Sequence, residues 1–207
     1  MADTIYDIMI PEEIKNCSLP SPEELEYFRL EKQRCFFIDY EIEDDYKCVE
    51  LIKTIIRMNL EEKDIPKEQL QPITLYVFSY GGSLDQATAL CDIIEASRIP
   101  IITVCLGVAM SAGFLIFLAG KRRYAMKQSC FLAHQGNASF EGTADMIQQA
   151  QNNYKKQLKQ MKDYILSHTN INERLFNRNK SKDWYITANE SIELGICQVI
   201  NSLDEIK

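Results

Sequence analysis

The sequence is poor in the residues that build metal sites and disulfide frameworks. Of its 207 residues only two are histidines, and none of its seven cysteines forms a Cys-x-x-Cys pair. This distribution argues against a zinc site and against a disulfide scaffold. The N-terminus lacks a basic patch followed by an apolar run, and no apolar stretch is long enough for a membrane helix. We therefore expect a cytoplasmic protein with reduced cysteines and no metal or other cofactor.

Basic residues are also in the minority. The chain has 23 Lys and Arg against 30 Asp and Glu, a formal net charge of −7, which disfavours nucleic acid or an anionic membrane as a partner. Its length and its 46% hydrophobic content fit one globular domain. Prolines interrupt a weakly periodic beginning, so we predict a partly ordered N-terminal arm over residues 1–24 and a single domain over 25–207.

Apolar periodicity predicts an α/β fold. Short apolar runs rich in β-branched and aromatic residues are typical of buried strands, and three- and four-residue spacings mark helices between them. In chain order these segments are 35–40, 49–60, 73–78, 87–94 and 101–105. Glycine-rich stretches at 81–82 and 107–113 follow two of the strands. Parallel α/β sheets place their ligand sites at such strand ends.

One predicted helix is unusually long. Over about 143–168, apolar residues recur every three or four positions with a break at Gln151, and such a helix would measure ~38 Å. The members of this seam are Ala144, Ile147, Tyr154, Leu158, Met161 and Ile165. Two interpretations remain open. The helix lies in the core, or it projects and packs its outer members, among them Leu158 and Met161, on another subunit.

Ser111, His134 and Asp183 supply the three groups of a serine nucleophile triad. A serine hydroxyl is a weak nucleophile until a neutral imidazole takes its proton, and that imidazole needs a carboxylate to fix its tautomer. Ser111 also lies among small residues that let a substrate backbone approach. Taken singly, the three residues are more simply a helix cap, a core histidine and a loop carboxylate. Their surroundings therefore decide the interpretation.

An α/β-hydrolase is the first alternative, because Ser-x-Gly after a buried strand is typical of a nucleophile elbow. Two observations disfavour it. Ala109 stands where the first glycine of that elbow belongs, and the order Ser, His, acid differs from that fold's Ser, acid, His.

Five short motifs, in one order along the chain, point to a different family. They are 79–83 (Ser-Tyr-Gly-Gly-Ser), 105–113 (Cys-Leu-Gly-Val-Ala-Met-Ser-Ala-Gly), 131–135 (Phe-Leu-Ala-His-Gln), 142–145 (Gly-Thr-Ala-Asp) and 183–188 (Asp-Trp-Tyr-Ile-Thr-Ala). Together they resemble the ClpP family, the proteolytic subunit of the Clp protease, with its glycine turn, nucleophile segment, histidine strand, handle helix and acid segment.

This resemblance implies both a fold and an activity. The fold would be the ClpP/crotonase-like spiral of ββα units with a projecting handle helix. Ser111 would be the nucleophile, His134 the base and Asp183 the acid, and the backbone N–H groups of Gly82 and Ala112 would form the oxyanion hole. The family resemblance further implies two stacked heptameric rings, a tetradecamer that cleaves unfolded polypeptides fed by an AAA+ unfoldase.

The first thirty residues do not resemble the family's segment that meets the ATPase. This departure leaves two alternatives to a ClpP peptidase that works with an unfoldase. One is an ATPase-independent or phage-type processing peptidase. The other is a non-catalytic partner subunit of a mixed barrel.

Overall fold

The computed structural model describes residues 20–43 and 46–206, which form two units. Most of the predicted N-terminal arm, residues 1–19, lies outside the described residues. The first unit ends at Gln33 and contains helix α1, Pro22–Lys32. Ser21 begins this helix by accepting a hydrogen bond from the Glu24 N–H, and Glu24 returns one to the Ser21 N–H. This reciprocal capping box, with proline in the first turn, accounts for the start of the helix.

The second unit starts at Arg34 and alternates strands with helices. Its elements are β1 (Cys35–Ile38), α2 (Tyr46–Glu61), β2 (Ile73–Ser79), α3 (Leu84–Ala96), β3 (Ile101–Met110), α4 (Ala112–Leu118), β4 (Arg122–Met126), β5 (Cys130–Ala133), α5 (Ala144–His168), α6 (Glu173–Asn179), β6 (Trp184–Thr187), α7 (Ala188–Glu193) and β7 (Gln198–Ile200). Short 3-10 turns occur at Lys67–Gln69 and Leu203–Glu205. The predicted α/β fold is confirmed.

The sheet divides at β3. Strands β1, β2, β3, β4 and β7 lie side by side and all pair in parallel. The first half of β3 pairs with β4 up to Cys105, whereas Val108–Met110 pair with β5, which in turn pairs antiparallel with β6. The sequence predicts a strand that ends at Cys105. The strand instead continues through Gly107, because β5 supplies a new hydrogen-bonding partner for its second half.

Helix α4 lies in the middle of the core. All seven of its residues are buried, which explains why its sequence is apolar on every side. Its Phe114 and Phe117 rings lie 5.8 and 4.9 Å from the ring of Phe131 on β5. The apolar residues of α2, α3 and the first three strands complete the same cluster. The start of α4 is therefore fixed against β5 by aromatic packing.

Helix α5 is the long helix that the sequence predicts, and only its C-terminal part contacts the core. Thr143 caps it, and of its 25 residues Ile165 alone is fully buried. The sequence predicted Met161 as an outer member of the seam. This prediction is wrong, because Met161 packs against the core of its own chain. Leu158 and Ile147 are only half-buried. Neither α5 nor any other helix of the described residues is long and apolar enough to cross a membrane.

Arg123 on β4 connects three separate parts of the fold. Its guanidinium donates hydrogen bonds to the carbonyl oxygens of Leu118 (3.0 Å), His168 (2.8 Å), Gly195 (3.0 Å) and Ile196 (2.6 Å). The first two carbonyls lie at the C-terminal ends of α4 and α5, where helices leave acceptors unpaired. Burial lowers the pKa of Arg123, but four carbonyl acceptors compensate the buried charge.

We expect Arg123→Met to lower the free energy of unfolding by about 2–4 kcal/mol, because four partly buried carbonyl groups lose a charged donor. Arg122→Met is the matched control, since its neighbouring side chain is exposed and its loss should stay within about 0.5 kcal/mol. Urea unfolding of both variants tests this. Equal urea midpoints for the two variants would show that Arg123 contributes no more to stability than Arg122 does.

Candidate active site

Strand β5 brings the three predicted residues together. It lies between β3 and β6, with Leu132 paired to Met110 on one side and Ala133 paired to Trp184 on the other. Ser111 is the residue after Met110, His134 follows Ala133, and Asp183 precedes Trp184. Extending the β5–β6 ladder by one residue places Asp183 opposite His134. Ser111 comes directly after the last pair of the β3–β5 ladder, so it lies on the other side of β5, beside Ala133 and next to the histidine.

The side chains form one continuous hydrogen-bonded chain. His134 Nε2 lies 2.9 Å from Ser111 Oγ, and His134 Nδ1 lies 3.0 Å from Asp183 Oδ1. A carboxylate at Nδ1 favours the tautomer with its proton there, which leaves Nε2 free to accept the serine proton. The imidazole side chain is 24% exposed and the carboxylate 56%, so both remain accessible from solvent. This arrangement can activate a hydroxyl nucleophile.

Ser111 has a strained backbone. Its φ of 53° and ψ of −121° lie in a region that L-residues rarely adopt, at a cost of about 1–3 kcal/mol. The Ser111 N–H donates to the Leu132 carbonyl at 2.9 Å, so β5 holds the conformation. The result is a sharp turn from β3 into α4 with the serine at its corner.

Two glycines let the β2–α3 turn lie directly against the serine. Gly81 has φ +106°, and a Cβ there would come within 2.7 Å of both the Met110 carbonyl oxygen and Ser111 Cβ. Gly82 has φ +139°, and a Cβ there would collide with the Ile42 carbonyl. Both positions therefore require glycine, by conformation and by space.

Two backbone N–H groups next to the serine are candidates for an oxyanion hole. Ile42 donates to the Gly81 carbonyl (2.7 Å) and accepts from the Ser83 N–H (2.5 Å), so this bridge does not use the N–H of Gly82. Ala112 is the first residue of α4, and the first N–H groups of a helix have no partner within it. Both groups predicted from the sequence thus lie in the segments that flank Ser111.

The chain also matches a known protein family. The family model of the Clp protease matches residues 23–203, most of the chain. The chain belongs to the Clp protease family. Membership makes the protein a peptidase of the ClpP type and confirms the family that the sequence motifs indicate. The match includes the nucleophile segment, β5 and the acid segment.

Two cavities of this Clp-family chain are lined by residues of the candidate site or of α4, the helix that follows Ser111. The larger, about 360 Å³, lies between α3, α4 and α5. Leu84, Leu115 and Met161 form part of its apolar wall, and Leu115 lies one helical turn after Ser111. The smaller, about 260 Å³, includes His134 and Asp183 in its wall. Within the described residues, no group of three or more His, Cys, Asp or Glu side chains is placed to hold a metal ion.

The sequence did not identify Tyr154 as part of the site. Its hydroxyl donates to the Gln135 carbonyl at 2.7 Å, and its ring lies 5.9 Å from that of Phe140. Burial raises the pKa of Tyr154, so the phenol stays protonated as a donor. Helix α5 is thereby attached to the segment that follows His134. In the sequence, Tyr154 shows only helical spacing, and its long-range contact leaves no local pattern.

We expect Tyr154→Phe to lower kcat for a short fluorogenic peptide about fivefold with little change in KM, because the loss of one hydrogen bond of ~1 kcal/mol loosens the segment that carries His134. Tyr185→Phe, on the exposed part of β6, is the control and should keep full activity. Thermal unfolding should shift little in either variant. An unchanged kcat for Tyr154→Phe would show that this contact of α5 does not affect catalysis.

Proposed function

We propose that this protein is a serine endopeptidase of the ClpP type that hydrolyses unfolded polypeptides. Ser111 is the nucleophile, His134 the general base and then acid, and Asp183 orients the imidazole. The observation that carries the proposal is the pair of hydrogen bonds through His134, 2.9 Å to Ser111 and 3.0 Å to Asp183. The glycine turn beside the serine supports it, because it leaves room for a peptide backbone at the nucleophile.

The geometry suits a two-step acyl transfer. Ser111 Oγ attacks the scissile carbonyl carbon while its proton passes to His134 Nε2, and Asp183 stabilises the imidazolium. The carbonyl oxygen becomes an oxyanion that accepts hydrogen bonds from the N–H groups of Gly82 and Ala112. As the C–N bond breaks, Nε2 gives the proton to the departing amine. A water molecule, deprotonated by the same nitrogen, then releases the acyl group and restores the serine.

The larger cavity is suited to a substrate side chain next to the cleaved bond. Its wall contains Leu84, two residues after Gly82, and Leu115, four residues after Ser111. A volume of about 360 Å³ accommodates a large apolar side chain. We therefore propose that this cavity favours bulky apolar residues. The catalysis needs neither metal nor nucleotide in this subunit.

Assembly is the second part of the proposal. Met146 on α5 is 58% exposed, and Ile147 and Leu158 are only half-buried. Apolar side chains along one projecting helix favour a partner surface. Together with the family resemblance, this supports two stacked heptameric rings that meet through α5, with the sites inside, fed in the cytoplasm by an AAA+ unfoldase.

A second candidate function concerns the partner rather than the chemistry. The family match begins at residue 23, so the preceding segment carries none of the matched features. This observation supports an ATPase-independent or phage-type processing peptidase as the alternative to a peptidase that works with an unfoldase. Co-purification of the full chain with an AAA+ ATPase supports the first function, whereas cleavage of a folded protein by the chain alone supports the second.

Ser111→Ala should abolish peptide cleavage and leave the fold intact, because it removes the nucleophile and almost no volume. Asp183→Asn should lower kcat by about 10⁴-fold, as in other triads where the imidazole takes the wrong tautomer. Rates on short fluorogenic peptides test both variants, and a fluorophosphonate should label the native chain but not the Ser111 variant. An unlabelled native chain without activity would instead support a non-catalytic subunit of a mixed barrel.

The double variant Ile147→Asp with Leu158→Asp should split the double ring into single rings, because each apolar side chain buried there contributes roughly 1.5–3 kcal/mol. Neither residue is among the α5 side chains that pack against the core of their own chain, so each subunit should stay folded. Lys155→Asp with Lys156→Asp, on the exposed part of the same helix, is the control. Sedimentation decides it, and an unchanged particle size contradicts the proposed contact.

A further inference from the structure

One segment departs from the overall acidity of the chain. The protein has a net charge of −7, yet residues 174–182 (Arg-Leu-Phe-Asn-Arg-Asn-Lys-Ser-Lys) contain four basic side chains and no acidic one. The segment covers most of α6 and the turn that leads to β6, and it ends one residue before Asp183. The acyl-transfer mechanism uses none of these charges.

The end of this segment forms one wall of the smaller cavity at the candidate triad. That cavity measures about 260 Å³. Its lining residues are His134, Gln135, Gly136 and Asn137 on one segment and Lys180, Ser181, Lys182 and Asp183 on the other. Two lysines therefore share a cavity with the imidazole that would protonate the leaving group.

The carboxylates near these lysines are engaged elsewhere. Asp183 accepts from His134 Nδ1 at 3.0 Å. Glu173 is hydrogen-bonded to Lys162, and this contact, with a smaller contribution from the charge of Lys180, lowers the pKa of Glu173. Across residues 20–43 and 46–206, neither Lys180 nor Lys182 forms an ion pair. Both are exposed, so their charges are available to a ligand in the cavity.

We propose that Lys180 and Lys182 are specificity-determining residues that favour polypeptides with Asp or Glu close to the scissile bond. The inference rests on the proposed peptidase function and names the substrate class that its active site prefers. Screening limits the attraction to about 10 Å at ordinary ionic strength. The preference therefore concerns the few residues on either side of the cleaved bond and not the overall charge of the substrate.

Matched peptides that differ only in Glu or Gln at each of the positions flanking the bond test this. We expect kcat/KM to be about 3- to 10-fold higher for Glu at one or more of these positions, the size of one or two partly exposed ion pairs. The ratio should fall to one in Lys180→Gln with Lys182→Gln and persist in Lys180→Arg with Lys182→Arg. Raising the salt concentration to about 0.5 M should also reduce it.

Lys63→Gln with Lys67→Gln is the control, since both lysines are exposed and lie between α2 and β2. This double variant changes the net charge by the same amount and should leave the ratio of kcat/KM for the Glu and Gln peptides unchanged. Equal rates for Glu and Gln at every position overturn the proposal, and so does a preference that survives in the Lys180 and Lys182 glutamine variant. Fluorescence anisotropy of the same peptides on the Ser111→Ala variant gives a readout without catalysis. A native chain that cleaves no peptide contradicts the proposed peptidase function. In that case the binding measurement still tests the role of the two lysines: tighter binding of the Glu peptide than of the Gln peptide supports it, and equal binding overturns it.

Discussion

The pairing of β5 with two different strands is the constraint on which the site depends. On one side β5 runs parallel to the second half of β3, and on the other it runs antiparallel to β6. Ser111, His134 and Asp183 each stand at the end of one of these three strands. A slip of one residue in either ladder would turn a side chain to the other face of the sheet and break the hydrogen-bonded chain. Backbone register, more than any side-chain contact, therefore sets the distances of 2.9 and 3.0 Å.

The core stabilises this register and the strain that goes with it. The positive φ of Ser111 costs about 1–3 kcal/mol, and the buried helix that follows offsets this cost. Phe114 and Phe117 of α4 pack on Phe131 of β5, so the helix that begins at the serine and the strand that carries the histidine share one aromatic cluster. Arg123 attaches the far ends of α4 and α5 to the turn before β7. The strained corner thus lies between two fixed elements.

Much of the fold and of the candidate site could be predicted from the sequence, and the features that could not be predicted share a physical cause. Local periodicity identifies α2, α3, α5 and the first three strands. The chemistry of a serine nucleophile, supported by family motifs, selects three residues far apart in the chain. Local patterns could not predict that β3 continues past Gly107, because the partner that stabilises its second half comes some twenty residues later. They also could not place Met161 against its own core or Tyr154 against Gln135. These contacts join distant segments, and an amphipathic helix shows which side chains are apolar but not what covers them.

Helix α5 connects the candidate active site to the surface formed by the N-terminal half of the helix. Its C-terminal part is anchored by Ile165 in the core. The apolar side chains nearer its N-terminus, such as Ile147 and Leu158, have little cover within the described chain. Tyr154, which lies between these two, donates a hydrogen bond of 2.7 Å to the carbonyl of Gln135. A tenfold change in the population of a competent site corresponds to only about 1.4 kcal/mol, and a single hydrogen bond contributes about 1 kcal/mol. We therefore expect a shift of α5 that lengthens this one bond to change peptidase activity several-fold. We expect contacts made on the N-terminal part of α5 to act on His134 in this way, through Tyr154 and Gln135, without touching any residue of the triad.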